Sequence, residues 1–140
     1  MNEPAIMQAM LRNSKVIAVI GMSDRDSRAS YHIGKYLSQH GYKVVPVNPT
    51  IQTVLGMTCY PDLESAQNAA RADGGEIDLV DVFRAPENVP PIVDDVIRLG
   101  IKYLWLQDGV VHHEAVARAE AAGVKCVQND CIYRRHAQML

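Results

Sequence analysis

Gly21, Ser23, Arg25, Arg28 and Ser30 crowd into one short stretch directly after the apolar run Val16-Ile-Ala-Val-Ile20. Every residue of that run is β-branched or small, which reads as a strand buried on both faces of a parallel sheet. Gly21 ends it, Ser23 and Asp24 supply turn chemistry, and Ser30 stands as the cap of the helical pattern that follows. A strand, a glycine turn and a helix N-terminus in that order aim backbone N–H groups and the positive end of the helix at one spot. Two arginines on the same loop make a phosphate the natural occupant, because a guanidinium pairs two donors with two phosphate oxygens. Together these residues predict a nucleotide-like ligand.

The identity of that nucleotide is narrowed by what is missing. A dinucleotide fingerprint reads G-x-G-x-x-G at the first turn, with an acid about 20 residues later to hold a ribose 2′-hydroxyl. Here Ser23 stands where the second glycine belongs, and the second strand ends in Val47-Asn48-Pro49 with no Asp or Glu. NAD is disfavoured on both counts. NADP suits the positive charge of Arg25, Arg28 and Lys35, yet the arginine expected after the second strand is absent too.

Hydride or acyl transfer needs a positioned acid, base or nucleophile. The candidates are His32, His112, His113, Asp108, Cys131 and His136. Adjacent side chains on a helix diverge by about 100°, so His112-His113-Glu114 reads as a cap and a first-turn acid rather than a metal cluster. His32 reads either as a side chain on the helix flank or as a contact to a ligand at the helix N-terminus. Cys131 reads as a structural thiol ahead of a reactive one. No catalytic residue and no metal ligand is expected.

The chain has 140 residues, 48% of them hydrophobic and 21% charged, with a formal net charge of −2. That suits one globular domain with its own core and argues against nucleic-acid binding, which favours a basic surface. No apolar run approaches the roughly 20 residues of a membrane span. The first residues, Met1-Asn-Glu-Pro-Ala-Ile, carry no basic segment ahead of an apolar one, so a signal peptide is not expected and a cytoplasmic location is. Cys59, Cys126 and Cys131 have neither disulfide nor zinc spacing and read as ordinary reduced thiols.

The elements that must position the anion site alternate. A short amphipathic helix near Ile6–Arg12 precedes the first strand, and a helix over Ser30–Gln39 follows it and closes at Gly41. Strands are predicted at Lys43–Val47, Ile77–Phe83, Tyr103–Leu106 and Lys125–Val127, with a weaker one near Thr58–Cys59. Asp78 and Asp81 interrupt the third, and are expected at its start and on a polar contact. Helices are predicted from Pro61 to Ala72, Pro90 to Leu99, His112 to Ala122 and Cys131 to Gln138. Trp105 is expected in the core. This alternation predicts an α/β fold, a single-domain Rossmann-like three-layer sandwich with a mostly parallel sheet. Its ligand crevice belongs beyond the carboxyl ends of the strands, at the topological switch point.

The same residues resemble the small stand-alone CoA-binding proteins, a family related to the N-terminal Rossmann-like domain of the succinyl-CoA synthetase α-subunit. The likeness runs from Val16 to His136. It rests on Gly21-x-Ser23 with Arg28-x-Ser30-Tyr31, Tyr36-Leu37, Gly41-Tyr42, Pro46-Val47-Asn48-Pro49 and Leu55-Gly56 with Cys59-Tyr60-Pro61. It continues through Asp78-Leu-Val-Asp-Val-Phe-Arg84, Val89-Pro-Pro-Ile92, Leu104-Trp-Leu-Gln107 with Gly109-Val110, and Asp130-Cys131-Ile132 with His136. The resemblance implies that Gly21, Met22, Ser23, Arg28 and Ser30 surround the phosphates of CoA. It implies that Asn48 and Pro49 border the nucleotide, that Phe83, Arg84 and Pro86 wall the adenine or pantetheine, and that Gln107 and Gly109 form the far rim. The chain departs from the family at Asp26 and Ala29, where relatives often have proline, and at Asp108, where an apolar residue is common.

The expectation is therefore a binder of coenzyme A or an acyl-CoA that performs no catalysis by itself, with neither nucleic acid nor membrane as a partner. Two rivals stand beside it: an NAD(P)- or CoA-dependent enzyme using His32 or Cys131, and a regulatory interaction module with a vestigial nucleotide site. Arg84 has a competing role, an ion pair with Asp81 or Glu87. The acyl group, a protein partner and the oligomeric state stay open.

Overall fold

The computed structural model describes residues 2–140. Its seven strands are β1 (Val16–Ile20), β2 (Lys43–Val47), β3 (Thr53–Val54), β4 (Met57–Thr58), β5 (Leu79–Val82), β6 (Tyr103–Leu106) and β7 (Lys125–Val127). The helices are α1 (Pro4–Asn13), α2 (Ala29–Gln39), α3 (Leu63–Ala72), α4 (Val89–Arg98), α5 (His113–Ala121) and α6 (Ile132–Met139). Five strands form one parallel sheet in the order β2-β1-β5-β6-β7, and β3 pairs with β4 in a small antiparallel hairpin. The irregular pattern after Thr50 is therefore this hairpin, one residue earlier than the strand expected near Thr58–Cys59.

All five residues of β1 are buried because both faces of the sheet are covered. Ala18 and Ile20 of β1, Val80 and Val82 of β5, and Leu104 and Leu106 of β6 pack under α3, α4 and α5. Ile17, Val19, Leu79 and Trp105 pack on the other side, under α1, α2 and α6. Trp105 is fully buried and its indole N–H donates to the Asp130 carbonyl at 2.9 Å, as a core tryptophan with a polar tip requires.

Most local signals hold. The His112 ring accepts the Ala115 N–H at 3.1 Å and caps α5. Asp78 sits at the start of its strand, where Oδ2 accepts the Lys15 and Val16 N–H groups at 2.8 and 3.0 Å. Asp81 does not meet its expected polar contact. It faces the α1/α2/α6 side between Val19 and Trp105 in register, wholly buried, and neither carboxylate oxygen has a partner among the described residues. Burial without compensation pushes its carboxyl well above the usual range.

Candidate functional site

The chain leaves β1 toward β2 on one side and returns at β5 on the other. No crossover covers the gap between the carboxyl ends of these two strands, and ligands bind at such gaps. Here it opens into a cleft of about 600 Å³.

Its floor is Gly21. The Gly21 N–H donates to the Val47 carbonyl at 2.8 Å, and the Phe83 N–H donates to the Ile20 carbonyl at 2.9 Å, so the turn is pinned from both neighbouring strands. Gly21 has φ +84°, and an added Cβ would lie 2.2 Å from the Phe83 carbonyl oxygen and 3.4 Å from Arg84 Nε. Only glycine fits that conformation and that approach, and the approach brings the Arg84 side chain against the turn.

One wall is the loop into α2. Ser23 donates its N–H to Ser30 Oγ at 3.0 Å, and Ser23 Oγ accepts the Arg25 N–H at 3.0 Å. Ser30 is therefore not the helix cap expected from its position. Arg28 is the extended residue ahead of α2, its side chain makes no capping bond, and Ser30 spends its hydroxyl on the turn instead. The first helical bond runs from His32 N–H to the Arg28 carbonyl, which leaves the amides of Ala29, Ser30 and Tyr31 without intrahelical acceptors at the mouth of the cleft.

The opposite wall follows β2. Asn48 Nδ2 donates to the Met22 carbonyl at 3.2 Å, while Oδ1 accepts the Thr50 N–H at 3.1 Å and its hydroxyl at 2.9 Å. One side chain thus ties β2 to the glycine turn and folds Thr50 and Ile51 back along the cleft.

The charge on these walls is unpaired. Arg71, Arg98, Arg118, Arg134 and Arg135 all form ion pairs elsewhere on the surface. Arg25, Arg28 and Arg84 line the cleft and have no carboxylate partner among the described residues. Arg84 pairs with neither Asp81 nor Glu87. Asp24 is the one carboxylate on the walls among the described residues, and Asp108 is held by Arg134 in two bonds of 3.2 and 3.0 Å. The cleft is a cationic, donor-rich hollow, and an anion with several oxygens is its complement.

The sequence profile described as CoA binding domain matches residues 15–137. The chain belongs to that family. Among relatives of this CoA-binding domain, the YneT protein of Bacillus subtilis strain 168 is 34% identical over 133 residues, covering 95% of this chain and 93% of YneT. A solved structure of a hypothetical protein from Pyrococcus horikoshii OT3 superposes with TM-score 0.88 at 33% identity, over 99% of this chain and 92% of that one. The ADP-forming acetate–CoA ligase I of Archaeoglobus fulgidus is 30% identical over 129 residues, which is 84% of this chain but 18% of the ligase.

Of the residues expected at the site of this CoA-binding domain, Gly21, Ser23, Arg28, Ser30, Asn48, Phe83 and Arg84 line the cleft together. Met22, Pro49, Pro86, Gln107 and Gly109 do not line it. Met22 is fully buried beneath α2 and Pro49 is exposed just beyond β2, while Pro86 opens a 3-10 turn. Gln107 is buried with Oε1 accepting the Ile132 N–H at 3.1 Å, and the Gly109 N–H donates to Asn129 Oδ1 at 2.8 Å. The cleft adds Asp24, Arg25, Ala29, Thr50 and Ile51. Arg25 carries the charge signal noted in the loop. Thr50 was findable as the residue two beyond Asn48, the spacing of an Asx turn.

None of the other candidates lines the cleft. His136 is buried against α2, with Nδ1 2.8 Å from the Tyr36 hydroxyl, and burial followed by the nearby His40 lowers its pKa. The three cysteines are free and buried. Burial pushes the Cys59 thiol up and the Cys126 thiol to about 12, so both are protonated at neutral pH.

Proposed function

We propose that this CoA-binding domain holds coenzyme A or an acyl-CoA by its phosphates in the cleft between β1 and β5, and performs no chemistry on it by itself. The observation that carries the reading is the distribution of arginines. Three guanidinium groups without carboxylate partners among the described residues converge on one donor-rich hollow, whereas five of the other six are neutralised by acids and the sixth, Arg12, closes the last turn of α1. Leaving arginines unpaired is favourable where a polyanion completes them. The family supplies the polyanion, and the missing acid after β2 disfavours NAD.

The absence of a catalytic role is supported by the wall chemistry. The cleft offers arginines, hydroxyls, an amide and an exposed aspartate, none arranged as a nucleophile with its base. The ADP-forming acetate–CoA ligases to which the chain is similar are several times longer, and this domain matches only a small share of them. By that likeness, CoA held here is presented to chemistry carried elsewhere. The test is isothermal titration at low salt with CoA, acetyl-CoA, NAD and NADP. Heat with CoA or acetyl-CoA, and little with the dinucleotides, is expected. No heat with either CoA species, or turnover of acyl-CoA by the purified chain, would overturn the reading.

A further inference from the structure

We infer that His32 is a positioning residue that clasps the arginine loop into shape; only its effect on affinity rests on the CoA reading above. Residues 24–29 are exposed and contain no proline, so nothing in their own covalent chemistry stiffens them. The ends of the loop are held, by Ser23 and Ser30 on one side and by the Arg28 N–H bond to the Arg25 carbonyl at 3.1 Å on the other. At its apex one side chain reaches the backbone. His32, from the first turn of α2, places Nε2 against the Asp26 carbonyl, with Nε2–H as the donor. Tyr31 meets the exposed ring edge-on, with centroids 5.5 Å apart.

Asp26 lies between Arg25 and Arg28. A bond to its carbonyl holds the 26–27 peptide, which lies midway between the two cleft arginines. Neither reading of His32 from sequence anticipates this: the ring is not idle on the helix flank, and it spends its donor on the protein rather than on a ligand. Without the clasp, the loop has to be ordered when an anion arrives, and that cost falls on binding.

Trypsin cuts after Arg25 and Arg28, so the loop reports on itself in the absence of ligand. His32→Phe keeps the ring and removes the donor, while His32→Gln keeps an amide donor of similar reach. Cleavage at these two bonds is expected to quicken roughly two- to tenfold in His32→Phe, the range for one exposed hydrogen bond. The melting temperature should hold, and His32→Gln should return toward the wild-type rate. CoA affinity measured by titration should weaken by a similar factor in His32→Phe and recover in His32→Gln. Unchanged cleavage in His32→Phe, or faster cleavage with unchanged CoA affinity, would overturn the proposal. If the wild-type protein does not bind CoA, the ligand assignment falls and the cleavage ratio alone decides the clasp.

Discussion

Gly21 and Phe83 meet backbone to backbone: a Cβ added to Gly21 would lie 2.2 Å from the Phe83 carbonyl oxygen. The end of β1 and the end of β5 are thereby locked together at the point where the strand order reverses. The contact makes the floor of the cleft a property of the main chain, so it cannot be repaired by choosing another rotamer.

Gly21→Ala should therefore cost more than a positive φ alone. Gly41 supplies the control, since it has φ +92° with nothing within 4 Å of an added Cβ. Gly41→Ala is expected to lose about 1 kcal/mol and Gly21→Ala at least about 2–3 kcal/mol. Urea unfolding of both variants measures the difference, and equal losses would show that the turn yields without strain.

Arg28→Ala and Arg84→Ala should each weaken CoA roughly tenfold or more, the loss of a charge-assisted contact. Affinity should also fall with added salt, less steeply in either variant than in the wild type. Titrations at several ionic strengths test both points. Arg118→Ala, which breaks only the exposed pair with Asp94, should leave CoA binding unchanged.

Gly34 lies inside α2, where alanine is ordinarily favoured by about 1 kcal/mol. Here a Cβ would fall 2.4 Å from Met22 Cε and 2.7 Å from Sδ, and Met22 is fully buried, so its thioether has to shift within the core. Gly34→Ala should destabilise the wild type yet stabilise a Met22→Ala background. A double-mutant cycle should give a coupling of about 1–2 kcal/mol; simple additivity would mean that the thioether moves aside freely.

Asp81 sets an unusual pH dependence. Its folded pKa is raised above the unfolded value of about 3.9, so the folded state binds the extra proton. Its contribution is fully present below that unfolded value and is lost as pH rises through the folded one. The slope should approach about 1.4 kcal/mol per pH unit inside that window. Asp81→Asn should remove this component, as read from denaturation midpoints across pH.

His136 acts with the opposite sign. Its folded pKa is lowered by burial and then by His40, so the unfolded chain takes up the proton first. Stability is present above the unfolded value of about 6.5 and is lost as pH falls through the folded one. Nδ1 and the Tyr36 hydroxyl share a hydrogen bond where α6 meets α2, and protonation leaves Nδ1 only a donor there. His136→Gln should flatten the acid limb while leaving the Asp81 window in place.

The sequence by itself determined most of the elements and which strand ends border the cleft. The apolar run at Val16–Ile20, the strands at Lys43–Val47, Tyr103–Leu106 and Lys125–Val127, and the His112 cap were legible because each depends on neighbours a few positions away. The glycine turn followed by arginines was legible for the same reason.

Only the tertiary structure decided which polar side chains face the cleft. Arg84 reaches Gly21 because β5 lies beside β1, an adjacency set by strand order rather than by spacing along the chain. The same long-range placement turns Gln107 to the Ile132 amide, gives Asp108 to Arg134, and strands Asp81 between Val19 and Trp105 without a partner. Periodicity reports which face of an element a residue occupies. The groups waiting on that face are brought there by other parts of the chain, and the packing of sheet and helices selects them.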